Sequence, residues 1–310
     1  MRRTSAWATV GLAVLVAFAL VLVFAALRST RGTVTPEPLA SALTTPSDKP
    51  TKDERDPGLA DALPDTIEPP LLMVTESLAY RAQVGSCLGG TTLERSTDGG
   101  QRWKDVPSPA SATLSLASAG GDAIDIVGAD EQCEVLVWAS TDRGASWFEP
   151  AVASDVFARV PGDPTKLSTP SGDAKNPCPV RSEAPVALEQ ITDADAALLC
   201  LSGEVFTTSD GGVKWRSQMP VIGGQALAFD TPDYGWALQR DSGNCAGYQL
   251  LGTQDGGASW QTGGCVGTEQ LPDERQLPSL SFVDAQTGMA DVGGEVVVTF
   301  DAGLTWREPR

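Results

Sequence analysis

The chain has 310 residues, 41% of them hydrophobic, enough for one large core or two ordinary ones. Its formal charge is −18; setting aside Arg2, Arg3, Arg28 and Arg31 at the start leaves 18 basic against 40 acidic residues, about −22, a surface that repels phosphate backbones and excludes nucleic acid as a partner. No histidine occurs, which excludes serine–histidine and cysteine–histidine catalysis and histidine-ligated zinc.

After a short head (1–5), Ala6–Leu27 runs 22 residues without a charge. At about 1.5 Å per residue this reaches roughly 33 Å, the depth of a bilayer core, and exceeds a secretory hydrophobic region. The segment (6–27) reads as a transmembrane signal anchor, the alternative being a signal peptide cut after Ala25. The short head places the bulk of the chain outside the cytoplasm, on a single-pass protein of the cell membrane. Residues 28–70 follow as a linker. Thr33–Pro70 holds eight prolines and no aromatic residue, so it cannot bury enough apolar surface to offset its ordering entropy.

From 71 to 310 one pattern returns five times, [S/T]-x-D-x-G-x-x-W. The copies are Ser96, Asp98, Gly100, Trp103; Ser140, Asp142, Gly144, Trp147; Thr208, Asp210, Gly212, Trp215; Thr253, Asp255, Gly257, Trp260; and Thr299, Asp301, Gly303, Trp306. The aspartates are separated by 44, 68, 45 and 46 residues. A period near 45 is that of four short strands per repeat, hence an all-β propeller. The last unit reads "PSLSFVDA", "GMADVG", "EVVVTF", the box and "LTWREP"; the first strands of the others are "LLMVTES", "ATLSLAS", "PVALEQI" and "QALAFDT". Each box closes the hairpin from third to fourth strand. Its aspartate and hydroxyl satisfy turn amides, its glycine supplies positive φ, and its tryptophan packs between sheets. The insert at 150–184 carries no box and is expected as a loop, giving five blades, with a degenerate sixth blade there as the alternative.

These boxes resemble the Asp-box, or BNR, repeats of bacterial neuraminidases. Stretches such as "SFVDAQTGMADVGGEVVVTFDAGLTW" are most similar to the photosystem II stability/assembly factor-like branch. The resemblance implies the propeller and, from that branch, a non-catalytic scaffold or assembly role. From the sialidases it implies the alternative, a glycoside hydrolase. That chemistry needs an arginine triad, a Tyr/Glu nucleophile pair and an acid/base aspartate. The F-R-I-P signature is absent, only Arg81 and Arg95 precede Asp98 in the domain, and Tyr80, Tyr234 and Tyr248 each fall within strand-like stretches. Asp193 and Asp195 in "ITDADA" suit a turn. No catalytic, cofactor or metal residue is assigned.

Six cysteines outside an anchor point to disulfides. Cys245 and Cys265 lie ten residues either side of Asp255, side by side across one hairpin. Cys87 and Cys133 occupy equivalent loops of neighbouring blades, leaving Cys178 with Cys200. All six fall on the face opposite the box turns. That face is expected to bind an unknown protein, peptide or glycan.

Overall fold

The computed structural model describes residues 70–85, 87, 90–179, 185–240, 242–267 and 276–310. The expected head, membrane span and, apart from Pro70, the linker lie outside these residues. Among the described residues no helix is long and apolar enough to cross a membrane.

Six antiparallel sheets form the six blades of a propeller. Blade I holds β1 (Pro70–Val74), β2 (Ala79–Gln83), β3 (Leu93–Ser96) and β4 (Lys104–Asp105). Blade II holds β5 (Ala112–Gly120), β6 (Ala123–Ala129), β7 (Val135–Ser140) and β8 (Ala151–Val152). Blade III is three-stranded, with β9 (Ala158–Arg159), β10 (Lys166–Ser168) and β11 (Ala174–Lys175). Blade IV holds β12 (Ala187–Gln190), β13 (Ala196–Leu199), β14 (Val205–Thr208) and β15 (Arg216–Ser217). Blade V holds β16 (Gly224–Phe229), β17 (Gly235–Gln239), β18 (Tyr248–Thr253) and β19 (Gln261–Val266). Blade VI holds β20 (Ser279–Phe282), β21 (Gly288–Val292) and β22 (Glu295–Thr299), and the Val298–Arg307 bridge supplies a rudimentary fourth strand.

Burial is greatest in the second and third strands and lowest at the outer edge, the innermost strands being partly open to the axis. Every residue of β13 is buried because both faces of a second strand are covered by neighbouring blades, and its sequence is accordingly unbroken apolar. The fourth strands β4, β8 and β15 are exposed throughout. The core is a series of seams between adjacent blades. Blades V and VI share Trp236 stacked on Phe282 at 3.7 Å. Blades VI and I close the ring through Met289, Val296 and Val298 against Ala79.

Residues 150–184 correct the expected count. Within them Ala158–Lys175 forms Blade III while Ala151–Val152 belongs to Blade II, so the propeller has six blades: the loop reading fails and its alternative, a degenerate sixth blade, holds. Strands of two or three residues give no readable alternation, and the turn Thr169–Asp173 lacks the box aspartate and tryptophan. The blade is held by its neighbours: Phe157, Leu167 and Cys178 are buried together with Leu188, Leu198 and Cys200 of Blade IV. Tyr80 and Tyr248 lie in strands and are buried, whereas Tyr234 lies in the turn before β17 and is exposed. Pro70, expected as linker, opens β1.

Candidate functional site

The five boxes share one geometry. Ser96, Ser140, Thr208, Thr253 and Thr299 each donate to the aspartate two residues on, at 2.9, 2.8, 2.9, 2.8 and 2.8 Å. Each hydroxyl also accepts the amide of the box glycine, Gly100, Gly144, Gly212, Gly257 or Gly303, at 2.8 to 3.2 Å. The aspartates Asp98, Asp142, Asp210, Asp255 and Asp301 in turn accept the amides of Arg102, Ser146, Lys214, Ser259 and Thr305. These bonds hold all five carboxyls below the ordinary aspartate range, Asp142 at about 2. Gly303 shows why glycine stands there: its φ is +82°, and a Cβ would collide with Leu250 of the preceding blade. Trp147 and Trp260 donate to carbonyls of the preceding blade, Pro107 and Met219, while Trp103 and Trp306 bond to Gly100 and Gly303 of their own turns. The Trp215 indole N–H is buried without a partner among the described residues, with Phe157 edge-on at 6.1 Å. The box carboxylates line the turns, not the centre.

Disulfides join Cys87 to Cys133, Cys178 to Cys200 and Cys245 to Cys265. The first ties Blade I to Blade II, the second Blade III to Blade IV, and the third stays within Blade V. Cys87, Cys133, Cys200 and Cys245 sit in second-to-third-strand loops, Cys178 in the connection from Blade III to Blade IV, and Cys265 near the end of β19, all toward the face opposite the boxes.

Two cavities adjoin the axis. The smaller, about 530 Å³, lies on the disulfide face over the seam of Blades VI and I and contains Arg81, Glu94 and Asp291. The larger, about 890 Å³, is bounded by the first strands of Blades I, II, IV, V and VI and, from Blade III, by Asp155, Val156 and Arg159. It extends to the box face, where it meets the first-to-second-strand turns at Glu76 and Asp193. Its charged lining is Glu76, Asp125, Asp155, Glu189, Asp193 and Asp230 against Arg159 alone among the described residues. Arg159 is buried, and its Nε donates to the Pro185 carbonyl at 2.9 Å. Burial lowers its pKa to about 10, with Glu189 opposing. Glu189 is half-buried; desolvation raises its carboxyl to about 8, with Arg159 opposing. Burial likewise raises Asp125. Asp193 and Asp195 lie in the β12–β13 turn, where Thr192 donates to Asp195 at 2.6 Å.

None of the charged residues of the larger cavity apart from Asp193 was singled out in the sequence. A signal exists for two of them: Asp125 interrupts "AIDIVGA" and Glu189 interrupts "PVALEQI", charges set within apolar strands. Among the described residues the larger cavity is lined by one arginine, Arg159, and Tyr80 and Tyr248 are buried within their strands.

The chain is a six-bladed β-propeller of the Asp-box type. No family model matches it, and no curated protein does either. Among solved structures it is similar to YCF48 with a bound D1 peptide (15% identity, 76% of this chain and 77% of that one, TM-score 0.44). It is also similar to YCF48 from Cyanidioschyzon merolae (14%, 74% and 81%, TM-score 0.42) and to the Aleuria aurantia lectin in complex with Fucα1-6GlcNAc (10%, 78% and 94%, TM-score 0.50). At such identities the likeness concerns the fold alone.

Proposed function

We propose that this protein is a membrane-anchored binding propeller, facing outward from the cytoplasm, that holds a polypeptide partner without transforming it. The observation that carries this reading is the larger cavity: the first strands of five blades converge on it, and its acidic lining stands apart from the box aspartates, which are already committed to turn amides. The placement is supported by the uncharged Ala6–Leu27 segment, the proline-rich stretch after it and three disulfides, which persist in oxidising compartments.

The test uses the full chain in detergent against peptide and glycan arrays, with protease accessibility of the propeller measured in intact and permeabilised cells. Retention of peptides and cleavage in intact cells are expected. Protection of the propeller until the membrane is opened overturns the placement.

One observation favours a second reading, glycoside hydrolysis. Desolvation raises the Glu189 carboxyl to about 8, the direction a general acid needs, and Glu189 shares the cavity with other carboxylates. Turnover of a fluorogenic glycoside panel, abolished by Glu189→Gln, replaces the binding reading with this one.

A further inference from the structure

Blade III lacks a particular strand. Its β10–β11 turn lies on the box face, because Ser171 N donates to the carbonyl of Gly211 in the Blade IV box at 3.2 Å. Strand β10 therefore runs from the disulfide face to the box face, the direction of a third strand. Both β9 and β11 are antiparallel to it, and β11 leads back to Cys178 on the disulfide face. Blade III thus consists of strands two, three and four, and the innermost position is vacant.

The cavity reaches toward that position. Blades I, IV, V and VI line it only through their first strands and the residues adjoining them, but Blade II also contributes Asp125 and Val127 of β6 and Val137 of β7. Val127 and Val137 face Val156 and Ala158 of Blade III. The space is an arm of the cavity between Blades II and III.

A side chain occupies the hydrogen-bonding place of the vacant strand. Gln190 donates through Nε2 to the Asp155 carbonyl at 3.0 Å and accepts the Phe157 amide on Oε1 at 3.0 Å. A carboxamide is a peptide unit without a chain, and bonding the C=O of one residue and the N–H two residues on is what one residue of a neighbouring parallel strand does. Gln190 marks a backbone edge built to take a strand partner.

We infer that this arm is a receptor slot for an extended, lysine- or arginine-bearing polypeptide segment, which pairs in the parallel sense with the Asp155–Phe157 backbone in place of the Gln190 carboxamide and fills the vacant innermost position of Blade III, running opposite to the first strands of the other blades. The charge of the occupant follows from the walls: Asp125, Asp155 and Glu189 surround the slot, and the one arginine, Arg159, faces Glu189. The apolar side, Val127, Val137 and Val156, suits the alternate residues of such a strand. The inference rests on the binding reading above and names its site and ligand chemistry.

Fluorescence anisotropy on the full-length protein in detergent tests it with labelled peptides about eight residues long, slightly more than a typical strand. The probes are an alternating Val/Lys peptide, its Val/Glu counterpart, and the Val/Lys peptide N-methylated at alternate amides. The Val/Lys peptide is expected to bind, and the other two roughly tenfold or more weaker, since one loses the charge match and the other the ladder bonds. Gln190→Ala is expected to tighten binding about threefold or more by removing the internal competitor, an effect that a merely structural role does not give. Asp155→Asn, at an exposed position, weakens Val/Lys binding and decides the charge argument if Gln190→Ala fails to fold. Equal binding of the methylated peptide, or unchanged or weaker binding by a folded Gln190→Ala protein, overturns strand addition while leaving polypeptide binding intact. Binding of the Val/Glu peptide as tightly as Val/Lys overturns the charge assignment. Retention of glycans with no peptide bound overturns the binding reading itself.

Discussion

Arg81 of β2 donates through Nη1 to Asp291 of β21 at 3.0 Å, joining the first blade to the last. The same guanidinium bonds Glu94 at 2.7 Å through Nε and lies over the Trp103 ring at 4.5 Å. No disulfide crosses this seam, and every blade is continuous in sequence, so closure rests on this cluster, the Val74 amide donating to the Ser281 hydroxyl at 3.2 Å, and the apolar packing of Ala79 against Met289, Val296 and Val298.

Arg81→Met is accordingly expected to lower stability by about 1–3 kcal/mol, below the figure for a fully buried pair because these side chains keep some solvent contact. Urea unfolding checks it. A midpoint unchanged from wild type removes the seam's electrostatic role.

Acid should loosen the box turns. The five box carboxyls have folded pKa values below the ordinary range, Asp142 at about 2 through bonds to the Ser146 hydroxyl and amide and the Ser140 hydroxyl. A depressed carboxylate contributes stability that is complete above its unfolded pKa, near 3.8 here, and is lost as pH falls toward the folded value. The thermal midpoint is expected to fall between about pH 4 and pH 2. Asp142→Asn should lower the midpoint at neutral pH and flatten the acid slope. A variant with the wild-type slope contradicts the assignment.

Glu189 predicts the opposite slope. Desolvation raises its carboxyl from 4.5 to about 8, so the folded state holds a proton that the unfolded state releases. Its stabilising contribution is present below about 4.5 and is lost as pH rises through about 8. Arg159 changes charge only above the range tested, its pKa being lowered to about 10. Glu189→Gln should leave the melting temperature little changed near pH 5 and raise it relative to wild type near pH 9. Parallel profiles for the two proteins refute this.

The tryptophans of two boxes should differ. Trp260 Nε1 donates to the Met219 carbonyl at 2.9 Å, whereas the Trp215 indole N–H is buried with no acceptor among the described residues. Trp260→Phe loses packing and the hydrogen bond to the Met219 carbonyl. Trp215→Phe loses packing alone and removes an unmet donor. The first substitution is expected to cost about 1 kcal/mol more than the second. Chemical denaturation of the two variants checks it; equal losses count against the bonding difference.

The sequence by itself determined the blade. Hydroxyl, aspartate, glycine and tryptophan at fixed offsets are a local turn chemistry, complete within eight residues, so each copy reads without its neighbours. The Cys245–Cys265 pairing was legible too, ten residues either side of Asp255, although the register differs: Gln249 is the strand partner of Cys265, and Cys245 reaches it from the loop before β18. The charge at Asp125 or Glu189 was visible as an interruption of an apolar strand, but not where it pointed. Only the tertiary structure decided the sixth blade, because β9, β10 and β11 are too short for a period and are held by burial of Phe157 and Leu167 against Blade IV. It also decided the Arg81–Asp291 closure, between residues 210 apart in the chain, and the use of Gln190 as a substitute for backbone. Turn chemistry is local and repeats; seams and vacancies are made by surfaces that meet only when the ring closes.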